Sequence, residues 1–262
     1  MVAILGTHSP KLARVRELRT KAGRREHARY AVEGATMLAE ALSAGRVPEE
    51  LYGTEAALAA LEPRDPRLMG RVYAIPEKAM ARLSDLETPP GLLAVYPTRF
   101  EPLATVLAGG EAAVVLAGVA DPGNAGTLLR SAEIFGIGAA IFTGDAVEAY
   151  NPKVVRATMG AIFRVRLVTC DAAELPAVAE TFDYRLVAAA RDGEPLPGYR
   201  FPERTLLAIG NERHGVSGAL PRVDAAVTIP HAGPGESLNA SVAGGIIFYA
   251  FAQQSAREKT VP

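Results

Sequence analysis

From Ala113 onward the chain alternates short apolar runs with stretches of helical spacing, and this alternation restricts the fold more than any other feature. Ala113-Val114-Val115-Leu116-Ala117 is apolar without interruption, as suits a parallel strand buried on both faces. The spacing predicts a helix over 124–135, a strand over 139–142, a helix around 152–159 and a strand near Val165. A helix over 175–181 follows, then strands at 186–188, 206–209 and 227–229, and a long final helix over 238–254. Strands and helices in this order predict a doubly wound, parallel-sheet α/β fold.

The first hundred residues read as a smaller α/β domain. Ser9-Pro10 can start a helix, because proline suits the first helical position, and Leu12, Val15 and Leu18 recur at helical spacing. Strands are expected at 30–32, 72–75 and 92–95, with helices over 36–44, ended by Gly45, and over 77–83. Two prolines between 96 and 102, then Gly109-Gly110, punctuate the chain. They divide it into an N-terminal domain over 1–98, a linker over 99–111 and a second domain over 112–262.

A net charge of −1 argues against a nucleic-acid partner unless the charge is unevenly spread. It is uneven: between Lys11 and Arg29, eight Lys and Arg stand against two acids, Glu17 and Glu26. Such a segment is either a solvated helix face or a patch that gathers phosphates, with Lys21, Arg24, Arg25 and Arg29 as candidates. No apolar run reaches the roughly 20 residues that span a bilayer, and Met1 to Lys11 lacks the design of a secretory signal. The single cysteine, Cys170, forms no internal disulfide and no cysteine-rich metal site. A cytoplasmic protein without metal or membrane association is expected.

In open α/β sheets, ligands bind beyond the carboxyl ends of the strands. Three segments at such positions are rich in Gly, Asn and small polar residues. Asp121-Pro122-Gly123-Asn124-Ala125-Gly126 runs into a helix that carries Arg130, whose planar fork suits a phosphate. A tight turn, an Asn cap and a surface arginine would explain the same residues. Ile209-Gly210-Asn211-Glu212-Arg213-His214-Gly215 places a carboxylate between glycines, either for a ligand or to cap a helix. His214 has no partner at metal spacing. Ile229-Pro230 opens the third segment, which leads through Ser237, a candidate N-cap, to Leu238, Asn239 and Ser241. Asn and Ser are mediocre helix formers, so a polar first turn facing a ligand explains them better than capping alone. No Walker loop, His-Glu-x-x-His, Gly-x-Ser-x-Gly or dinucleotide fingerprint is present, which disfavours a nucleotide-dependent oxidoreductase.

Taken in order, the three loops closely resemble the motifs of the SpoU/TrmH family of RNA 2′-O-methyltransferases, within the SPOUT superfamily. The first matches at Asn124, Gly126, Arg130, Ser131 and Ala132, and the second at Gly210, Glu212 and Gly215. The third matches at Ile229, Pro230, Gly233, Ser237, Leu238, Asn239, Ser241, Val242 and Ala243. Residues 151–160 are similar to the family's segment between the first two motifs. Glu33-Gly34 and Thr88-Pro89-Pro90-Gly91 are similar to its N-terminal RNA-binding domain, itself like a small ribosomal protein. Departures are small: Ala240 stands where the family often has Val, and His231 where it often has Met.

The resemblance implies a C-terminal trefoil knot, an exception to the rule that chains do not thread loops. It implies S-adenosylmethionine (AdoMet) as methyl donor, held by Gly210, Asn211, Gly215, Ile229, Pro230, Ser237, Leu238 and Asn239. It further implies a homodimer through the C-terminal domain. The catalytic set would be Arg130, Asn124, Glu212, Ser237 and Asn239. Ribosomal RNA is favoured over transfer RNA by the separate N-terminal domain. A non-catalytic RNA-binding protein, and methylation of a base nitrogen, are the alternatives on the same fold.

Overall fold

The computed structural model describes residues 2–61, 65–211, 213–235 and 237–258. In chain order it begins with β1 (Ala3–Ile4), α1 (Pro10–Glu17), α2 (Lys21–His27), β2 (Arg29–Glu33), α3 (Ala35–Ser43), β3 (Glu50–Gly53), α4 (Glu55–Ala59), β4 (Val72–Ala74), α5 (Glu77–Leu83) and β5 (Leu92–Pro97). It continues with α6 (Leu103–Ala108), β6 (Ala113–Ala117), α7 (Pro122–Ile134), β7 (Ala139–Thr143), α8 (Pro152–Ala157), β8 (Arg166–Thr169), α9 (Leu175–Thr181), β9 (Arg185–Pro195), β10 (Thr205–Gly210), β11 (Ala225–Thr228) and α10 (Ala240–Glu258). Several helix starts share one chemistry, a polar cap followed by proline. Asp121 accepts from Asn124 N, and Asn151 accepts from Lys153 N, with Pro122 and Pro152 next in sequence.

Two compact units result: residues 1–99 with 150–163, and residues 100–149 with 164–262. In the first, the strand order β1-β4-β3-β5-β2 makes a mixed sheet, antiparallel at β3–β5 and β5–β2. Helices α1 and α5 cover one face, where Leu12, Val15, Met80 and Leu83 meet Tyr52, Leu93 and Val95. Residues 150–163 are held in this unit by aromatic packing. Tyr150 packs on Tyr30, the rings tilted by 32° with centroids 4.3 Å apart, Phe163 meets Tyr96 at 5.2 Å, and Arg46 Nε donates to Phe163 O at 3.1 Å.

The second unit is a six-stranded sheet, β11-β9-β10-β6-β7-β8, parallel throughout. Strands β6, β7 and β10 are buried along their whole length, which is why their sequences do not alternate. Val106 and Leu107 of α6 and Leu175 and Ala179 of α9 join Val115, Ile141 and Ala208 in the core on one face. Helices α7 and α10 pack together on the other. The stretch expected to be a linker therefore contains a helix, because Val106 and Leu107 are apolar enough to enter that core. Among the described residues, no helix is long and apolar enough to cross a membrane, and no cluster of His, Cys, Asp or Glu could hold a metal.

Candidate active site

The parallel sheet delivers the three loops to one edge, and hydrogen bonds tie them together. The loop after β6 turns at Gly118, in the left-handed region at φ 69°, and its carbonyl accepts from Asn211 Nδ2 at 3.2 Å. First and second loops are joined there. Asn124 in the first turn of α7 is buried, and its Oδ1 accepts from Asn239 Nδ2 at 2.9 Å. First and third loops are joined there.

Asn239 has a second task. Its Oδ1 accepts from Ser241 N at 2.9 Å, Ser241 Oγ at 2.7 Å and Val242 N at 3.3 Å, so it caps α10. The cap falls two residues beyond Ser237, which stays exposed in the preceding loop with Leu238. Asn239 is thus a capping residue whose amide also reaches across to the first loop. No spacing rule announces that double use.

The second loop closes on itself. Asn211 and Gly215 form an isolated bridge, with Gly215 N donating to Asn211 O at 2.8 Å. A Cβ on Gly210 would sit 2.2 Å from the Gly215 carbonyl carbon, so this position admits no side chain. Glu212 lies outside the described residues. Ile229 and Pro230 follow β11 and open the third loop. Between 229 and 238, no described backbone N–H donates to a backbone group of another described residue. That leaves main-chain donors beside Ile229 and Leu238, a combination suited to a flat, partly apolar nucleoside. Arg130 is exposed on α7, about 9 Å further along the helix axis than Asn124 at 1.5 Å per residue. Its guanidinium makes no hydrogen bond or ion pair among the described residues.

The basic segment divides into occupied and open cations. Arg24 is 3 % exposed, and its Nη1 donates to Leu18 O at 2.9 Å and Arg19 O at 3.0 Å. It closes the carbonyl end of α1 and is not available to a phosphate, a correction to the expectation from charge alone. Arg29 is likewise engaged, by Glu49 and by His27 O. Lys11 and Arg14 share the Glu50 carboxylate, and Tyr52 donates to it as well. Burial pushes the Glu50 carboxyl up, but the hydrogen bonds from Tyr52, Lys11 and Arg14 outweigh this and hold it below the usual range. Arg19 is held by Asp85, while Arg16, Lys21 and Arg25 remain exposed and unpaired among the described residues.

An open parallel sheet with three linked loops at its carboxyl edge, in a chain that also carries a smaller mixed-sheet unit, is the architecture of an α/β protein that takes ligands beyond its strand ends. Residues 111–249 match the model of the SpoU rRNA Methylase family, and residues 9–94 match an MRM3-like substrate binding domain. The chain belongs to the SpoU rRNA methylase family. It is 30% identical over 255 residues to the 23S rRNA (guanosine(2553)-2′-O)-methyltransferase RlmP of Bacillus subtilis, covering 95% of this chain and 98% of that one. Its structure is similar to that of an AdoMet-bound rRNA methyltransferase from Sinorhizobium meliloti, with a TM-score of 0.82, 25% identity and coverage of 99% of each chain. It is also similar to the SpoU methyltransferase AviRb of Streptomyces viridochromogenes in complex with AdoMet. There the TM-score is 0.81 at 25% identity, over 95% of this chain and 99% of that one.

Proposed function

We propose that this protein methylates a ribose 2′-hydroxyl of ribosomal RNA with AdoMet as the donor. One observation carries the reading: in a chain of this family, the three motif loops close on one another through Asn211–Gly118 and Asn239–Asn124. Gly210, Asn211, Gly215, Ile229, Pro230, Ser237, Leu238 and Asn239 would hold the cofactor, largely through the backbone. When bound, AdoMet supplies a methyl group on a sulfonium centre, which is already a good leaving group.

The chain must then hold the ribose oxygen in line and ease loss of its proton. A guanidinium donates hydrogen bonds and accepts none, so we read Arg130 as an electrostatic stabiliser and not as the base, and the 2′-hydroxyl proton passes to solvent water. Arg130 grips the adjacent phosphate and stabilises the negative charge growing on the 2′ oxygen. Asn124, fixed by Asn239, holds the ribose side of the first loop. Glu212 positions the arginine or the substrate, and Ser237 faces the reacting groups. The C-terminal chain is read as a trefoil knot, and the enzyme as cytoplasmic.

The test uses purified protein, methyl-labelled AdoMet, and ribosomal and transfer RNA lacking their own modifications. Label should appear in 2′-O-methylnucleosides released from ribosomal RNA. Label on a base, or in transfer RNA alone, would overturn the corresponding part of the reading.

The enzyme is also read as a homodimer through α7 and α10. Val242, Ile246 and Tyr249 recur at 4- and 3-residue steps along α10 and are 50%, 38% and 53% exposed, opposite Thr127, Ser131 and Phe135 of α7. Such a stripe on a soluble helix calls for a partner surface. Ile246→Asp with Tyr249→Asp should convert a dimer into a monomer in sedimentation velocity. A monomeric parent, or a variant that stays dimeric, would remove this interface.

A further inference from the structure

Residues 151–160 separate the first two motifs in sequence, yet none of the roles above uses them. They form part of the first unit, where α8 packs against β2, the edge strand of the mixed sheet. Val154 and Val155 are its buried residues, and Asn151 caps it. Lys153 is exposed and Arg156 half-buried, and neither has a hydrogen bond or ion pair among the described residues. Arg156 borders a small crevice together with Arg19, Glu33 and Asp85. Both carboxylates there are already engaged, Asp85 by Arg19 Nε and Glu33 by Ser84 Oγ and Asp85 N.

Helix α2 packs on the same strand. It carries Lys21 and Arg25, exposed and unpaired, beside one exposed acid, Glu26, while Glu17 of α1 is taken by His27. Two helices from distant parts of the chain therefore flank one edge strand, and each brings two open cations. At the other edge of the sheet, around β1 and β4, exposed Val2, Ile4 and Met69 lie with Glu55 and Glu77, a surface hostile to a polyanion.

We infer that α8 and α2 form one phosphate-binding surface along β2, with Lys153 and Arg156 supplying half of its contacts to the RNA backbone. This inference rests on the RNA-methyltransferase reading. Lysine offers a point charge and arginine a fork, both suited to phosphodiester oxygens and neither committed to a base. The surface therefore positions RNA without reading its sequence.

The experiment compares the full chain with Lys153→Gln/Arg156→Gln, binding unmodified ribosomal RNA over a range of salt concentrations. Glutamine keeps much of each side-chain stem and removes the charge. Losing two phosphate contacts should lower the slope of log K against log salt by about 1.4–1.8, and weaken binding roughly tenfold or more near 0.15 M salt. AdoMet affinity, melting temperature and kcat at saturating RNA should hold, so the loss appears in KM. A salt slope equal to the parent's, while Lys21→Gln/Arg25→Gln lowers it, would remove α8 from the RNA surface. A parent protein that binds RNA but methylates no ribose would overturn the functional reading and leave the salt slopes to decide this surface.

Discussion

Arg130→Ala should slow methyl transfer by about 10²–10³-fold, the loss of about 2.7–4 kcal/mol that follows removal of one preorganised donor to a developing oxyanion. AdoMet should bind the variant as it binds the parent, because Arg130 sits on α7 and the loops proposed to hold the cofactor follow β10 and β11. Stability should change by less than about 0.5 kcal/mol, since the side chain is exposed and makes no hydrogen bond or ion pair among the described residues. Arg130→Lys separates charge from geometry: it keeps the cation and loses the fork, so it should recover part of the rate and not all of it. Single-turnover transfer measured beside AdoMet calorimetry reads both quantities. A variant with full activity would end the assignment. One that loses AdoMet would move Arg130 from the reacting groups to the cofactor.

Gly210→Ala should act at the other half of the reaction. Its Cβ would lie 2.2 Å from Gly215 C, 2.3 Å from Val216 N and 2.5 Å from Gly215 O. All three are backbone atoms, so no side-chain rotation relieves the clash. The Asn211–Gly215 bridge must open, and with it the hold of Asn211 on Gly118. Overpacking of this kind costs about 1–3 kcal/mol. Paid out of cofactor binding, that weakens AdoMet about 5- to 150-fold, at 1.4 kcal/mol for each tenfold. The melting temperature should fall together with affinity. Parent-like affinity would show that the loop relaxes freely and that its closure does not shape the cofactor site.

The two mutations probe parts of the site that were unequally legible. Strands β6 and β10 follow directly from their composition, because a strand buried on both faces has no polar position to spare. The start of α7 was less so: helical spacing puts it two residues late, at Asn124 with asparagine as the possible cap, whereas Asp121 caps the helix and Pro122 fills its first position. Strand β3 was not: Glu50-Leu51-Tyr52-Gly53 is short, begins with a charge and ends in glycine. It becomes a strand because β4 and β5 pair with it on either side, and because its glutamate meets Lys11, Arg14 and Tyr52.

The basic segment shows the same limit from the side of function. Counting charges identified a cationic stretch and could not tell which cations were spoken for. Arg24 and Arg25 are neighbours in sequence, yet one is plugged into the carbonyls ending α1 and the other is exposed. Their difference is a matter of helix phase against a neighbouring helix end.

The sequence by itself determined the parallel sheet, the order of the three loops and the family, because burial on both faces and loop chemistry are written locally in residue type. Tertiary structure alone decided that Asn239 both caps α10 and holds Asn124, that residues 150–163 belong with the first unit, and which cations stay open to RNA. Each of these depends on partners distant along the chain, and no periodicity or composition records which carboxylate, carbonyl or ring will stand opposite a given side chain once the chain is packed.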